Sequence, residues 1–161
     1  MTAPAGFLPY SRPSRYLDLI GPVFEADGDP AAVGLRVDER HSNARGFTHA
    51  GVLVALADTL MGHTAQRAGP PGTRLVTVSL TTDFPGTAHV GDWVTGSAGV
   101  HRVGRTLAFA TCRFSVGDRP VLVASGVFAV APQEDGSRGP TAQRPPATAG
   151  HLRHEQERSA P

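Results

Sequence analysis

The sequence predicts an α+β fold in which one long helix packs against one antiparallel sheet. Three observations carry that expectation. One long stretch, roughly 48–68, repeats its apolar residues at helical spacing. Six further runs read as strands, two before the helix and four after it. The last three of these runs are separated only by short turns, the mark of an antiparallel meander.

Residues 1–18 are Pro-rich and read as irregular or partly helical. LIGPVFEAD (19–27) and AAVGLRVD (31–38) read as two strands, and GDP (28–30) between them is a turn signal, so the pair forms a hairpin. ERHSNARGF (39–47) is a loop. The helix follows, with Thr48 as a candidate N-cap and Gly69-Pro70-Pro71-Gly72 as its stop. Val52, Leu53, Leu56 and Leu60 fall three to four apart, with alanine filling the gaps, so this helix is buried on most sides.

TRLVTVSLTTDF (73–84) alternates Leu75, Thr77 and Ser79 against Val76, Val78 and Leu80. Pro85-Gly86 then ends or bulges that strand. DWVTGSAGVHRV (92–103), RTLAFATCRFSV (105–116) and RPVLVASGVFAV (119–130) complete the sheet, turning at Gly104 and at Gly117-Asp118. Residues 132–161 are rich in Pro, Gly and Gln and nearly free of large apolar side chains, the composition of a disordered tail.

Composition narrows the function. The chain has 161 residues, 40% of them apolar, which suits one domain with a real core. A formal charge of +1 argues against a nucleic-acid binder working by bulk electrostatics. All the basic residues are arginine, so no lysine can serve as Schiff base or general base. Cys112 is the one cysteine, which rules out an internal disulfide and a multi-Cys zinc site and suits a reducing, cytoplasmic setting. The N-terminus lacks the pattern of a signal peptide, and the longest apolar runs fall far short of the about 20 residues that span a membrane.

Asp58 is the residue that needs explaining. It sits in the apolar helix, and Val54, Ala55, Met61 and Gly62 occupy the places where a helical counter-charge would stand. A carboxylate on a largely buried face is paired, hydrogen-bonded or shifted toward neutral. It either reaches solvent or caps a group across the sheet, or it is a catalytic carboxylate in a cleft. Asn43, Gly46, His49 and Gly51 lie just before and at the start of the same helix. A helix N-terminus offers unpaired N–H groups and partial positive charge, which can hold a carbonyl oxygen as it becomes an oxyanion. Taken singly, each of these residues is equally at home in a loop or a cap. His63, His89 and His101 read as packed or surface histidines, and no metal-ligand pattern stands out.

Taken together, H-x-N-x-x-G-x-x-H-x-G over 41–51, with Asp seven residues later, resembles the hotdog-fold acyl-CoA thioesterases of the PaaI-like type. The resemblance extends to VTVSLTTDF, GDWV and the RVGRTLAF hairpin and spans roughly 16–131. It implies a hotdog domain over 19–131, a central helix wrapped by a curved antiparallel sheet of about five to six strands. It implies hydrolysis of an acyl-CoA thioester to a free acid and CoA, with no cofactor and no metal. It implies a homodimer, or a dimer of dimers, with active sites between subunits. Asp58 matches the catalytic carboxylate, as base or nucleophile, contributed by the other subunit. The Ala50 N–H looks like the oxyanion donor, beside His49 and Gly51. Asn43 matches the asparagine that orients the carbonyl or the water, and Thr77 a position that holds the water. Arg102 and Arg105, flanking the turn at Gly104, match a hairpin that binds coenzyme A phosphates. The chain departs from the usual His-Gly-Gly by reading His49-Ala50-Gly51. A non-catalytic hotdog module that binds acyl-CoA or scaffolds is the alternative; a hotdog dehydratase or hydratase places its Asp/His pair differently.

Overall fold

A computed structural model describes residues 3–12 and 14–131. Its elements run β1 (Phe7–Pro9), α1 (Arg15–Ile20), β2 (Val23–Ala26), β3 (Asp29–Arg36), α2 (Ala50–Ala68), β4 (Arg74–Asp83), β5 (Trp93–Val103), β6 (Leu107–Val116) and β7 (Arg119–Ala131). The strands form one curved antiparallel sheet in the order β1-β2-β3-β5-β6-β7-β4. α2 is the single long helix among the described residues and lies across the sheet, which is the hotdog arrangement.

Seven strands are present among the described residues, where the sequence suggests five to six. The addition is β1, whose Phe7 pairs with Ala26 and whose ring meets Trp93 edge-on at 5.1 Å. Residues 19 and 20 belong to α1 and not to a strand. Ser14 caps that helix by accepting from the Leu17 N–H, and Leu17 is its buried anchor. The boundary drawn at 18/19 therefore falls inside α1, and the expectation for the tail at 132–161 lies outside the described residues.

The core is what the apolar pattern calls for. Leu53, Leu56, Leu60 and Met61 on α2 are buried against Leu35, Val94, Phe114, Leu122 and Phe128 of the sheet. Burying a leucine or phenylalanine of this kind is worth about 2 kcal/mol, so these contacts dominate the stability of the layer pair. The sheet comes close to α2 at Gly126, where a β carbon would lie 3.1 Å from Met61, and within the sheet a β carbon on Gly96 would lie 2.2 Å from the Phe114 ring.

β5, β6 and β7 form the expected meander. β4 does not join it next to β5; it crosses to the far edge and pairs with β7. The simple alternation read along β4 also breaks. Thr77 pairs with Phe128 and Ser79 with Val127, leaving Val78 as a bulge between them. The extra residue shifts the phase, so Thr77 shares its register with buried Phe128 while Leu80, and not Ser79, shares the next inward position with Gly126.

Candidate active site

The loop before α2 is held by hydrogen bonds that the sequence pattern anticipates only in part. His41 is buried; its Nδ1 accepts from the Asp38 N–H at 2.9 Å and its Nε2 meets the Ile20 carbonyl at 2.8 Å. Asp38 is clamped by Arg40, whose Nη2 lies 2.7 Å from Oδ2 and also donates to the Gly21 carbonyl. Asn43 closes the turn, its Oδ1 accepting from the Arg45 and Phe47 N–H groups. That turn contains Gly46, whose φ of +78° is a conformation glycine adopts without strain. The Asn43 carboxamide oxygen is thus spent on its own loop, and its NH2 has no partner among the described residues.

Thr48 is not the N-cap. Its hydroxyl donates to the Ala88 carbonyl at 2.9 Å, which ties the loop to the chain before β5. His49 takes the cap position: its Nδ1 accepts from the Gly51 N–H at 3.0 Å. Gly51 suits this contact, since a β carbon there would sit 3.0 Å from that same nitrogen. The Val52 N–H reaches the His49 carbonyl. Of the first donors of α2, the Ala50 N–H therefore meets no acceptor among the described residues, and Ala50 is exposed. Ala50 opens the helix and no described non-glycine residue has a positive φ, so the alanine fits this backbone without strain.

Asp58 lies two turns further along α2 and is half-buried. Its Oδ1 accepts a hydrogen bond of 2.7 Å from the Thr77 hydroxyl on β4. The helix and the bulged strand thus bring together two residues separated by 19 positions. Both line a cleft of about 520 Å³ whose walls include Leu75 and Phe128. Ala50 is not in that cleft: eight residues of helix put its N–H about 12 Å from Asp58 along the axis of one chain.

The same cleft holds His63, which the sequence suggests is merely packed, and residues that sequence reasoning passed over. His63 lines it, and its Nδ1 is hydrogen-bonded to the Tyr10 hydroxyl. Burial, together with the charges of Arg12 and Arg67, holds the His63 pKa below 6.5, while burial pushes Tyr10 up to about 12. Arg12 and Gln66 lie beside them, with Arg12 Nη1 donating to Gln66 Oε1 at 2.8 Å. The one signal that could have found Gln66 is its spacing of eight from Asp58, which puts both on one helix face. Tyr10 and Arg12 come from a segment with no periodic pattern. His89 and His101 are exposed, as expected.

Arg102 and Arg105 do come together. They line a second cleft, of about 740 Å³, with the Pro70–Thr73 turn and Val130. The two clefts flank the start of β4, since Thr73 lines one while Arg74 and Leu75 line the other. Among the described residues no three of His, Cys, Asp and Glu gather in a way that could hold a metal ion. Among the described residues no helix is long and apolar enough to cross a membrane.

Residues 45–123 match the model of the thioesterase superfamily. A Pseudomonas aeruginosa protein named "Putative esterase PA0474" is 43% identical over 130 residues, which cover 80% of this chain and 97% of that protein. The chain belongs to the thioesterase superfamily. Mouse acyl-coenzyme A thioesterase 13 is 29% identical over 94 residues, covering 57% of this chain and 65% of the mouse protein. Among solved structures, the conserved protein PA5202 of Pseudomonas aeruginosa superposes with a TM-score of 0.68 at 27% identity, over 73% of this chain and 94% of that one. Membership of the superfamily supports thioester hydrolysis in general, and the match spans the helix, β4, β5 and β6 and thus both Asp58 and Thr77.

Proposed function

We propose that this thioesterase hydrolyses acyl-CoA thioesters by the PaaI-like route, as a homodimer or a dimer of dimers. The observation that carries the reading is the Asp58–Thr77 hydrogen bond in a cleft, together with an unengaged Ala50 N–H at the start of the same helix. Asp58 takes a proton from water, or attacks the carbonyl carbon itself, and Thr77 fixes the carboxylate and the water. As the carbonyl oxygen gains charge, the Ala50 N–H donates to it, with the positive end of α2 behind it. The Asn43 NH2 orients the same carbonyl. The C–S bond then breaks and the CoA thiolate takes up the proton; where water is the nucleophile the acid leaves directly, and where Asp58 attacks, water then hydrolyses the acyl anhydride on Asp58 to release it.

Two features support a site shared between subunits. The about 12 Å between Ala50 and Asp58 within one chain is too far for both to act on one carbonyl, which needs contacts near 3 Å. A second copy can bring its own helix start to the Asp58 cleft. β4 supplies the surface for it. It ends the sheet, and Val76 and Val78 stand 60% and 59% exposed along it. A long apolar edge strand of this kind is a template for pairing with another chain. Arg102 and Arg105, which line the cleft beside the start of that strand, bind the phosphates of CoA in this reading. The chain's own groups suffice for this chemistry, with no cofactor.

The test is thiol release from a panel of acyl-CoAs by wild type and Asp58→Asn, with the mass in solution measured alongside. Hydrolysis by the wild type that falls at least a hundredfold in the variant, from a dimer or larger assembly, supports the reading. No hydrolysis across the panel, or full activity in the variant, rejects it.

A further inference from the structure

Asp58, Gly62 and Gln66 are spaced four apart on α2 and form one stripe along the cleft. Gly62 leaves the middle of the stripe bare. A β carbon there would make ordinary contact with the Phe128 ring at 3.5 Å, so the glycine leaves that space to the cleft, beside Phe128 and Leu75. The near end of the cleft is Asp58. The far end is polar. The Gln66 Nε2 donates to the Thr73 carbonyl at 2.8 Å, which turns Oε1 toward Arg12, and Arg12 Nη1 donates to that oxygen. Gln66 is a neutral partner. Among the described residues no carboxylate pairs with Arg12, and Asp58 is the one carboxylate that lines the cleft. A guanidinium carries five N–H donors in a planar fork suited to a carboxylate. Here it stands half-buried at the far end of a cleft of mixed lining, where Leu17, Leu75 and Phe128 supply the apolar wall, its position set by an amide that is itself anchored.

We propose that the acyl group taken by this cleft bears a carboxylate at its far end, and that Arg12 is the residue that selects it. This rests on the acyl-CoA reading above. Asp58 to Gln66 spans about 12 Å along the helix, which suits a chain of roughly six to eight carbons between the thioester and the distal carboxylate. The substrate class is thus a medium-chain dicarboxylic acid esterified at one end to CoA. Water adds to the thioester carbonyl, the C–S bond breaks, and the free diacid and CoA leave; the distal carboxylate is unchanged.

The experiment compares suberyl-CoA with octanoyl-CoA, which has the same length and lacks the distal charge, in wild type, Arg12→Gln and Arg12→Lys. Melting temperatures confirm that each variant is folded. The wild type is expected to favour suberyl-CoA by about tenfold in kcat/KM. Arg12→Gln is expected to lose about tenfold more on suberyl-CoA than on octanoyl-CoA, and Arg12→Lys to keep part of the preference. Octanoyl-CoA hydrolysed as well as suberyl-CoA by the wild type overturns the proposal and leaves the thioesterase reading standing. An equal rise in KM for both substrates in Arg12→Gln also overturns it, and assigns Arg12 to the phosphates of CoA. Hydrolysis of neither substrate overturns the proposal, and the wider acyl-CoA panel then decides the thioesterase reading by itself.

Discussion

The Thr77 hydroxyl lies 2.7 Å from Oδ1 of Asp58, joining the middle of the long helix to the edge strand that follows it. The bond is available because the bulge at Val78 comes after Thr77 and not before it; a bulge one turn earlier would put this hydroxyl on the outer face. Removing the hydroxyl tests the link. Thr77→Val is expected to lower kcat about tenfold, and Asp58→Asn at least a hundredfold, in a thiol-release assay. If the pair works as a unit, the double variant loses little more than Asp58→Asn alone.

His49 caps α2 through Nδ1. Loss of such a cap costs about 1 kcal/mol, or about 3 °C in melting temperature for a domain of this size. His49→Ala is expected to show that loss by calorimetry. His49→Asn, which offers a side-chain oxygen to the same N–H group, is expected to recover most of it. An unchanged melting temperature in His49→Ala would mean that the cap contributes nothing.

Arg40 holds the Asp38 carboxyl below its ordinary value of 3.8, against a smaller opposing effect of burial. A carboxylate whose folded pKa is lowered stabilises the fold above its unfolded pKa, and that contribution fades as pH falls through the folded pKa. The urea midpoint of the wild type is therefore expected to drop below about pH 4. Arg40→Gln is expected to be less stable at pH 7 and to show a shallower acid decline. Parallel curves for the two proteins would show that the pair does not set acid stability.

Cys112 is buried, and burial pushes its thiol up to about 12. The thiolate is the reactive form, so the native protein is expected to react with Ellman's reagent only on unfolding. Release of the chromophore within minutes from folded protein would contradict the burial.

Gly96 lies under the Phe114 ring, where a β carbon would come within 2.2 Å. Gly96→Ala is expected to cost about 1–3 kcal/mol through overpacking, read as a fall in melting temperature. Adding Phe114→Leu should relieve part of that clash, so the two changes together cost less than their sum.

The helix and the meander were legible because each rests on a local signal. Leu53, Leu56 and Leu60 repeat at the helical period, Gly69-Pro70 cannot continue a helix, and Gly117 supplies a φ of +55° at a hairpin turn. Asp58 stood out for the same kind of reason: a carboxylate amid apolar neighbours is costly without a partner. The cap assignment failed at Thr48 because threonine has two possible uses, and the nearby Ala88 carbonyl claims its hydroxyl. Only the end of α1, Leu19 and Ile20, reads as strand, because it runs on into the apolar stretch of β2, while the cap from Ser14 and the buried anchor Leu17 make it helical.

By itself, then, the sequence determined the fold class, the long helix and its carboxylate, the turns, and the resemblance that names the thioesterase superfamily. All of these depend on residues close together in the chain. The tertiary structure alone decided which side chains meet. β4 crosses to the far edge beside β7, the bulge aims Thr77 at Asp58, and Tyr10 and Arg12 close on His63 and Gln66 from more than fifty residues away. Such contacts are fixed by how the sheet closes over the helix to bury Phe114 and Phe128, and no spacing within a single segment encodes that closure.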